Sequence, residues 1–554
     1  MTKDLSKVNE VYREKTNATT TLSGINIKEL YRPEDTIDIQ YDRDIADSGH
    51  FPFTRGIYPN MFRGRYWTRR EVCGFGTASD TNKRILNQIE EGVGGLNVIV
   101  DMPTRFGIDV QHPLSEGEVG AAGVPLTSLQ DMEDLTRDIP LSEVSFSLIS
   151  SSCVAPIVLS QYLIVAQKAG IDISQLRGTI QSDTLSTRFC GMGEATPPDL
   201  ALKITGDIIE FCTKNMPYWN PINVNMYDLR ETGVSAPQEL AFGFANAISY
   251  IEEVLQRGLD IDDFAPRFAF YCSAHIDFLE EIAKLRAARR MWAKIMRNRF
   301  GAKDPRSWKF RFGVHTAGCS LFAQQPQNNI IRVALEALSA VLAGVQSLHC
   351  CSYDEPIALP HESTQRIALR TQQIIAYETG AASTVDPLGG SYYIETLTND
   401  IEEKASGILQ QIDDMGGAIV AMKKKWIDRQ IEEEALKYQK AIENKERIIV
   451  GVNEFIERSD LKEVANRHKY SSEAERSHIN SLIQLRRERD LESVKRAIGN
   501  LQTEAGKSQR NNLIPAIIEA VRAYATSDEI IGTVRECFGY SYDPFDILKF
   551  PFDD

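Results

Sequence analysis

The chain of 554 residues carries 62 basic and 77 acidic side chains, and a net charge of −15 with a single basic tract argues against nucleic acid as a partner. Its 42% hydrophobic content is that of a soluble globular protein; no run approaches the ~20 apolar residues needed to span a membrane, and the start MTKDLSKVNEVYREKT lacks an apolar signal core, so a cytoplasmic location is expected. Nine cysteines, odd in number and without a CxxC pair, predict free thiols rather than zinc or a disulfide framework.

Residues 1–50 are polar and weakly periodic, and are expected to form an arm lying on another surface. At 55–70, RGIYPNMFRGRYWTRR holds five arginines (Arg55, Arg63, Arg65, Arg69, Arg70) and no acid, interleaved with Tyr58, Phe62, Tyr66 and Trp67. Guanidiniums grip phosphates and aromatic faces take a ring or an apolar arm, so the stretch predicts a long anionic ligand held along its length. Pro59, with Gly56, Asn60 and Gly64, predicts an extended segment rather than a helix. Composition alone leaves open a plainer reading, an arginine-rich surface strand paired with acidic neighbours.

Eight short apolar or β-branched runs follow, at 71–76, 97–102, 144–149, 178–182, 221–226, 267–272, 309–314 and 345–350, separated by amphipathic segments such as 155–170, 236–258, 276–300 and 328–344. This alternation predicts an α/β fold, a (β/α)8 TIM barrel over residues 51–400; a doubly wound open sheet is the runner-up, and no GxGxxG follows a run to support it. Charge-dense helical segments over 401–554 predict a helical C-terminal region with solvated faces or a subunit contact.

Such barrels place chemistry at the C-terminal ends of their strands. The polar residues there are Thr104, Ser150 to Ser152, Gln181 to Asp183, Tyr227 and Asp228, Ser273 and His275, His315 and Thr316, and His349 with Asp354 and Glu355. Some need only cap the next helix, Ser182, Asp183 and Thr316 first among them. His349, next to Cys350 and Cys351, reads as a satisfied core histidine.

The motifs RGIYPNM, WTRR, GFGTASDTNKR, GTIQSD, KNMPYWNPINVNMY, FAPRFAF, EIAKLRAARRMWAKI, QSLHCCSYDEPIALP and DPLGGSYYIE are similar to the barrel-bearing large subunit of adenosylcobalamin-dependent acyl-CoA mutases, from about residue 45 to the C-terminus. This is the family of methylmalonyl-, isobutyryl- and 2-hydroxyisobutyryl-CoA mutases. The resemblance implies a barrel that threads the pantetheine arm of coenzyme A down its axis, past small residues such as Ser151 and Ala269, with the CoA phosphates on the arginine segment. Tyr58, Met61, Arg65, Thr68 and Arg70 match the family's CoA-contacting segment, and Thr179, Gln181 and Arg267 match further acyl-CoA contacts. Gln346 and Glu355 match positions near the substrate and the adenosyl ribose. Also implied is a radical mechanism: the Co–C bond of adenosylcobalamin breaks homolytically, a substrate hydrogen is abstracted, and the thioester group migrates to the neighbouring carbon.

No D-x-H-x-x-G cobalt-ligating loop is present, so the cofactor is expected on a separate small subunit, with no metal ligand in this chain. The family suggests a heterotetramer with that subunit and leaves open whether a GTPase chaperone serves it. Gly191 matches the arginine that binds the free carboxylate in methylmalonyl-CoA mutases, and a buried carboxylate without that cation would cost several kcal/mol. Val72 replaces a pocket tyrosine, Ile99 an aspartate that binds a substrate hydroxyl, His315 a glutamine near the thioester, and Cys351 the ribose-facing asparagine. Asp228, after Tyr227, stands where a histidine commonly faces the thioester carbonyl; it is left to accept from a substrate hydroxyl, to be protonated by burial, or to pair with Arg230.

Tyr227, Asp228, Gln181 and Glu355 are thereby the expected catalytic set. Two function classes result. One is a mutase for a branched, non-dicarboxylic acyl-CoA, 2-hydroxyisobutyryl-CoA/3-hydroxybutyryl-CoA ahead of isobutyryl-CoA or a bulkier ester, with methylmalonyl-CoA last. The other is a catalytically silent CoA-binding scaffold.

Overall fold

The computed structural model describes residues 19–150, 153–189, 196–457 and 472–552. Nine parallel strand pieces, β1 (Thr68–Cys73), β2 (Gly95–Ile99), β3 (Phe146–Ile149), β4 (Gly178–Gln181), β5 (Trp219–Asn220), β6 (Ile222–Asn225), β7 (Phe268–Ala274), β8 (Phe312–Thr316) and β9 (Ser347–His349), lie in the order β5-β4-β3-β2-β1-β9-β8-β7-β6. β5 and β6 are halves of one strand broken at Pro221, which has no N–H to give to a ladder. One half pairs with β4 and the other with β7, so the order closes on itself into an eight-stranded barrel, not an open sheet. Each predicted run holds a strand, displaced by up to three residues.

The strands are followed by the principal helices α1 (Ala78–Glu90), α2 (Leu129–Thr136), α3 (Ala155–Lys168), α4 (Pro198–Asn215), α5 (Ala236–Gln256), α6 (Phe278–Lys294), α7 (Asn328–Leu342) and α8 (Glu362–Tyr377). Capping boxes start three of them: Thr77 with Asp80 at α1, Ser128 with Asp131 at α2, and Ser235 with Gln238 at α5. Outward-facing strand residues such as Leu96, Val98, Ile222 and Val224 are buried under these helices, which leaves the alternate residues facing the barrel axis.

Five longer helices complete the chain's helical end after α9 (Tyr392–Met415), which runs across position 400 and packs along α5 and α6. They are α10 (Trp426–Glu443), α11 (Ser472–Glu488), α12 (Leu491–Lys507), α13 (Ile514–Arg522) and α14 (Ser527–Cys537). Val494, Ile498, Leu501, Ile514, Ile517 and Ile530 from this end share one apolar core with Ile157, Val158 and Leu159 of α3. The C-terminal helices therefore wall the β3–β4 side of the barrel.

The N-terminal arm lies along α6: the Leu22 N–H donates to Asp277 at 2.8 Å and the Ser23 N–H to Glu280 at 3.2 Å. Several cations in α6 are buried for structural reasons. Lys284 bridges Glu239 and Glu281 and donates to the Ser273 carbonyl at 2.8 Å; Arg286 joins Asp386 and Glu395. Arg289 has only carbonyls, those of Phe53, Thr54 and Ala343, and burial without an acid pushes it down to about 9. It staples the segment before the arginine tract to the barrel.

Candidate active site

Side chains that face the axis are small or polar where a closed barrel is usually filled with branched apolar groups. Arg70, Val72, Asn97, Ser147, Thr179, Gln181, Asn223, Ala269, Tyr271, Gly313, His315 and His349 alternate inward along their strands. Several interact with neighbouring strands along the wall: Arg70 donates to Asn97 at 3.2 Å and to Ser145 at 3.4 Å, Gln181 to Ser147 at 3.4 Å, and Asn220 to Thr179 at 3.1 Å. Others are buried with no partner, namely Asn97 Nδ2, Asn223 Oδ1 and the Tyr271 hydroxyl. An unpaired buried polar atom costs about 1–3 kcal/mol, so a lumen with several of them is built to hydrogen-bond something that lies along it. Arg70 has no acid beside it, and burial pushes its guanidinium down to about 10.

At the N-terminal mouth, residues Tyr58 to Phe62 and Gly64 to Thr68, with Val345 and Gln346, line a cavity of about 470 Å³. Met61 opens one helical turn, Met61–Gly64, inside a stretch expected to be extended throughout. Trp67 is fixed by its indole N–H on Gln372 at 3.1 Å, and Gln346 accepts the Phe312 N–H at 3.0 Å while the Thr68 N–H bonds the Gln346 carbonyl at 2.9 Å. The plainer reading of the arginine tract holds for Arg55, which pairs with Asp386 at 3.2 Å. Among the described residues neither Arg63 nor Arg65 has a carboxylate partner. Arg267 stands on the same rim.

The C-terminal mouth holds a second cavity, about 490 Å³, lined by Val72, Gly74, Phe75, Ile99, His315, His349, Ser352, Glu355 and the 356–360 loop, with Arg84 and Gln365. Gly74 is required by close approach: a Cβ there would lie 2.3 Å from the Ile99 carbonyl oxygen. Glu355 accepts the Ser352 N–H at 2.8 Å, and burial pushes its carboxyl up to about 7. His315 packs between Tyr227, at 4.3 Å between ring centroids, and His349, at 4.2 Å, with both neighbouring rings tilted against it. Cys351 Sγ lies 3.6 Å from His315 Nδ1, and burial holds its thiol protonated.

His349 is half of what the sequence suggests. Its Nδ1 meets the Arg70 carbonyl at 3.1 Å, as in a satisfied core histidine, but the ring lines the cavity and burial lowers it to about 4, a neutral imidazole at pH 7. Asp228 does not pair with Arg230, whose guanidinium turns to the Val234 carbonyl and toward Glu239 and Glu281. Instead Asp228 and Asn225 bond reciprocally, Asn225 Nδ2 donating at 2.6 Å and the Asp228 N–H returning to Asn225 Oδ1 at 3.0 Å. Of the three expected caps, Asp183 caps a helix, bonding the Ser186 N–H at 3.1 Å. Ser182 donates to the Pro221 carbonyl and Thr316 accepts the Cys351 N–H, both at 2.8 Å.

The fold thus gathers Val72, Ile99, Tyr227, Asp228, His315, Cys351 and Glu355 at one mouth and Tyr58, Met61, Arg65, Thr68, Gln346 and Arg267 at the other, with Arg70, Thr179 and Gln181 between them. Gly191, like Ser151, lies outside the described residues. Two groups escaped sequence reasoning. Glu231 accepts the Cys319 N–H at 2.8 Å, and burial pushes it up to about 7. Arg84 stands over the Phe75 ring at 5.4 Å and donates to Gln365 at 2.6 Å.

Glu355, Glu231 and Glu280 are all raised to about 7 by burial, so each binds its proton more tightly in the folded than in the unfolded chain. Their contribution to stability is complete below about pH 4 and is lost as pH rises through about 7. Denaturant midpoints are expected to fall between pH 5 and pH 8, and Glu355→Gln to flatten that fall; a midpoint that rises over this interval in the unmodified chain contradicts the assignment.

A family model described as methylmalonyl-CoA mutase matches residues 20–540. The large subunit of 2-hydroxyisobutanoyl-CoA mutase of Aquincola tertiaricarbonis is 40% identical over 519 residues, covering 94% of this chain and 92% of that protein. Methylmalonyl-CoA mutase of Rhizobium meliloti is 39% identical, with 94% of this chain and 72% of that protein covered, and the human mitochondrial enzyme is 38% identical, with 94% and 68% covered. The chain belongs to the methylmalonyl-CoA mutase family, a family of isomerases.

Proposed function

We propose that this chain is the catalytic large subunit of an adenosylcobalamin-dependent acyl-CoA mutase, moving the CoA-thioester group between adjacent carbons of a branched acyl group without a second carboxylate. The observation that carries this is the lumen: a closed barrel lined by small and polar side chains with unpaired buried atoms, open at a cationic mouth and ending in a second cavity. A pantetheine arm, with two amides and no charge, matches those unpaired donors and acceptors. The reacting acyl group then lies at Val72, Ile99, Tyr227, Asp228 and His315.

The cofactor is read as carried by a separate small subunit that docks over the C-terminal mouth. The residues there fit a nucleoside: Glu355 is a buried carboxyl near neutrality, able to bond hydroxyl groups as donor or acceptor, and the Phe75 ring stands on the same cavity wall. When bound, the group supplies the hydrogen-abstracting radical. The chain's own contribution is to orient the acyl group, to keep thiols such as Cys351 protonated and water out, and to hold no strong base near the thioester.

Asp228 supports the 2-hydroxyacyl choice. Asn225 fixes its carboxylate and leaves acceptor capacity toward a substrate hydroxyl. With the small subunit and cofactor added, 2-hydroxyisobutyryl-CoA is expected to turn over ahead of isobutyryl- and pivaloyl-CoA, and Asp228→His to reverse or erase that order. Relative rates unchanged in the variant would remove Asp228 from substrate selection. One observation favours a second reading: Arg84 is a buried guanidinium on the cavity wall with no carboxylate partner among the described residues, and efficient turnover of methylmalonyl-CoA would identify it as the seat of a substrate carboxylate.

A further inference from the structure

Tyr271, the fourth residue of β7, turns to the barrel axis, and its hydroxyl is buried with no hydrogen-bond partner among the described residues. The ring is nonetheless fixed, tilted against Tyr227 at 5.8 Å and edge-on to His315 at 6.1 Å. Gly313 on the adjacent strand makes room for it, since a Cβ there would lie 3.2 Å from Tyr271 Cδ2. Register sets Tyr271 opposite Gly313, two residues short of His315 along β8. Tyr271 therefore stands one inward-facing step nearer the N-terminal mouth than the acyl pocket.

This side of the lumen is rich in acceptors and short of donors. Nδ1 of His315 meets the Thr316 carbonyl at 2.7 Å, and Nδ1 of His349 meets that of Arg70 at 3.1 Å. A carbonyl only accepts, so each ring carries its proton on Nδ1; burial keeps both imidazoles neutral, and each is left with a bare Nε2. The Asp228 carboxylate accepts from Asn225, and the Cys351 thiol donates to the Thr316 carbonyl at 3.2 Å. Arg70 gives its N–H groups to Leu96, Asn97 and Ser145. The Tyr227 hydroxyl turns to the Gly318 turn beside Glu231: the two oxygens lie 3.4 and 3.0 Å from where a Gly318 Cβ would stand. Glu355 lines the C-terminal cavity, whose wall does not include Tyr271. Asn97 Nδ2, also unpaired, is on β2, across the barrel from β7. Beside Tyr227, Asp228 and His315 the unspent donor is the Tyr271 hydroxyl, and burial raises it so that it keeps its proton.

We propose that the Tyr271 hydroxyl donates a hydrogen bond to the thioester carbonyl oxygen of the substrate and is a catalytic residue, a reading that rests on the acyl-CoA assignment above. The pantetheine arm enters from the N-terminal mouth and the thioester joins it to the acyl group. The carbonyl thus lies one step before Tyr227, Asp228 and His315, where Tyr271 stands. A carbonyl oxygen needs a donor, which bare Nε2 atoms and a carboxylate do not offer. The bond pairs two groups that would otherwise be buried unpaired, and it fixes the carbonyl while the neighbouring carbon–carbon bond is broken and remade.

The test compares the full chain with Tyr271→Phe, which removes the hydroxyl alone. Its denaturant midpoint is expected to be unchanged or higher, because that hydroxyl is unpaired in the free chain. Titration uses 2-hydroxyisobutyryl-CoA and its thioether analogue, in which a CH2 replaces the carbonyl. Tyr271→Phe should weaken the thioester by about tenfold and leave the thioether unchanged. With carbon-13 at the thioester carbonyl, the infrared band of the bound ester should lie lower in the unmodified chain than in Tyr271→Phe. Equal effects on the two ligands, an unchanged thioester affinity, or a band at the same frequency in both chains overturns the contact. If the unmodified chain binds neither ligand, the acyl-CoA assignment fails and the contact with it; a lowered band without isomer formation keeps the contact and removes the mutase reading.

Discussion

Ala269→Leu is expected to weaken acyl-CoA binding by roughly five- to a hundredfold while the chain still folds. Ala269 is the second residue of β7, faces the lumen near its N-terminal mouth and is partly accessible in an otherwise buried strand. Its surroundings are small: Gly313 on the adjacent strand has room for nothing more, since a Cβ there would lie 2.6 Å from Ser347 Oγ. A leucine at 269 turns its added carbons toward the barrel axis, where Ala269 keeps some accessible surface, and circular dichroism checks that the variant folds. With a pantetheine arm in place the same carbons must be displaced, and forcing extra methylenes into a filled space costs about 1–3 kcal/mol, up to about a hundredfold in affinity. Titration with a CoA ester and with free pantetheine measures it. Both should weaken; undiminished binding of both would show that the arm does not run through the barrel.

Lys284→Met is expected to cost about 3–5 kcal/mol of stability, the penalty for leaving buried carboxylates without their cation. Lys284, Glu239 and Glu281 have no exposed side-chain surface, and Lys284 bonds Glu239 at 2.6 Å. Burial alone would lower the Lys284 ammonium, yet the two carboxylates outweigh it and raise it. Glu239 also accepts the Ser273 N–H at 3.0 Å, tying the network to the C-terminal end of β7. Arg230 stays near, 3.8 Å from Glu239 and 3.6 Å from Glu281, too far to replace a direct bond. A double change to Met at 284 with Gln at 281 should recover part of the loss, because Arg230 then balances the remaining Glu239 and no net charge stays buried. Chemical denaturation of the two variants checks both halves, and a Lys284→Met loss below about 1 kcal/mol would contradict the accounting.

The barrel was legible because its strands are short apolar runs and its helices are periodic, and both signals survive burial on two faces. Pro221 was visible in the fifth run, but a break that still closes the barrel depends on register with β4 and β7, which no local pattern encodes. The docking of α12 to α14 on α3 was hidden for a similar reason: an amphipathic helix shows that it has a partner, not which one. In the site, the reciprocal Asn225–Asp228 bond follows an i, i+3 spacing common at helix starts, and that spacing could have separated Asp228 from Arg230. Arg84 carries no such mark. It occupies an amphipathic helix between Lys83 and Ile85 and becomes a wall of the cavity only because the 356–365 segment folds over it. Glu231 reads as solvated until the Cys319 N–H is brought to it.

The central claim is that this chain, with its cofactor-bearing partner, rearranges the carbon skeleton of a CoA ester. The most direct measurement mixes the chain with a small cobalamin-binding subunit and adenosylcobalamin, adds 2-hydroxyisobutyryl-CoA, and follows the esters by mass-resolved chromatography. The account predicts a new ester of identical mass and different retention, the linear 3-hydroxybutyryl isomer, that fails to form when either protein is omitted. Binding of CoA esters with no isomer from any member of a panel of branched acyl-CoAs would contradict it, and would make the barrel a scaffold that holds coenzyme A without acting on it.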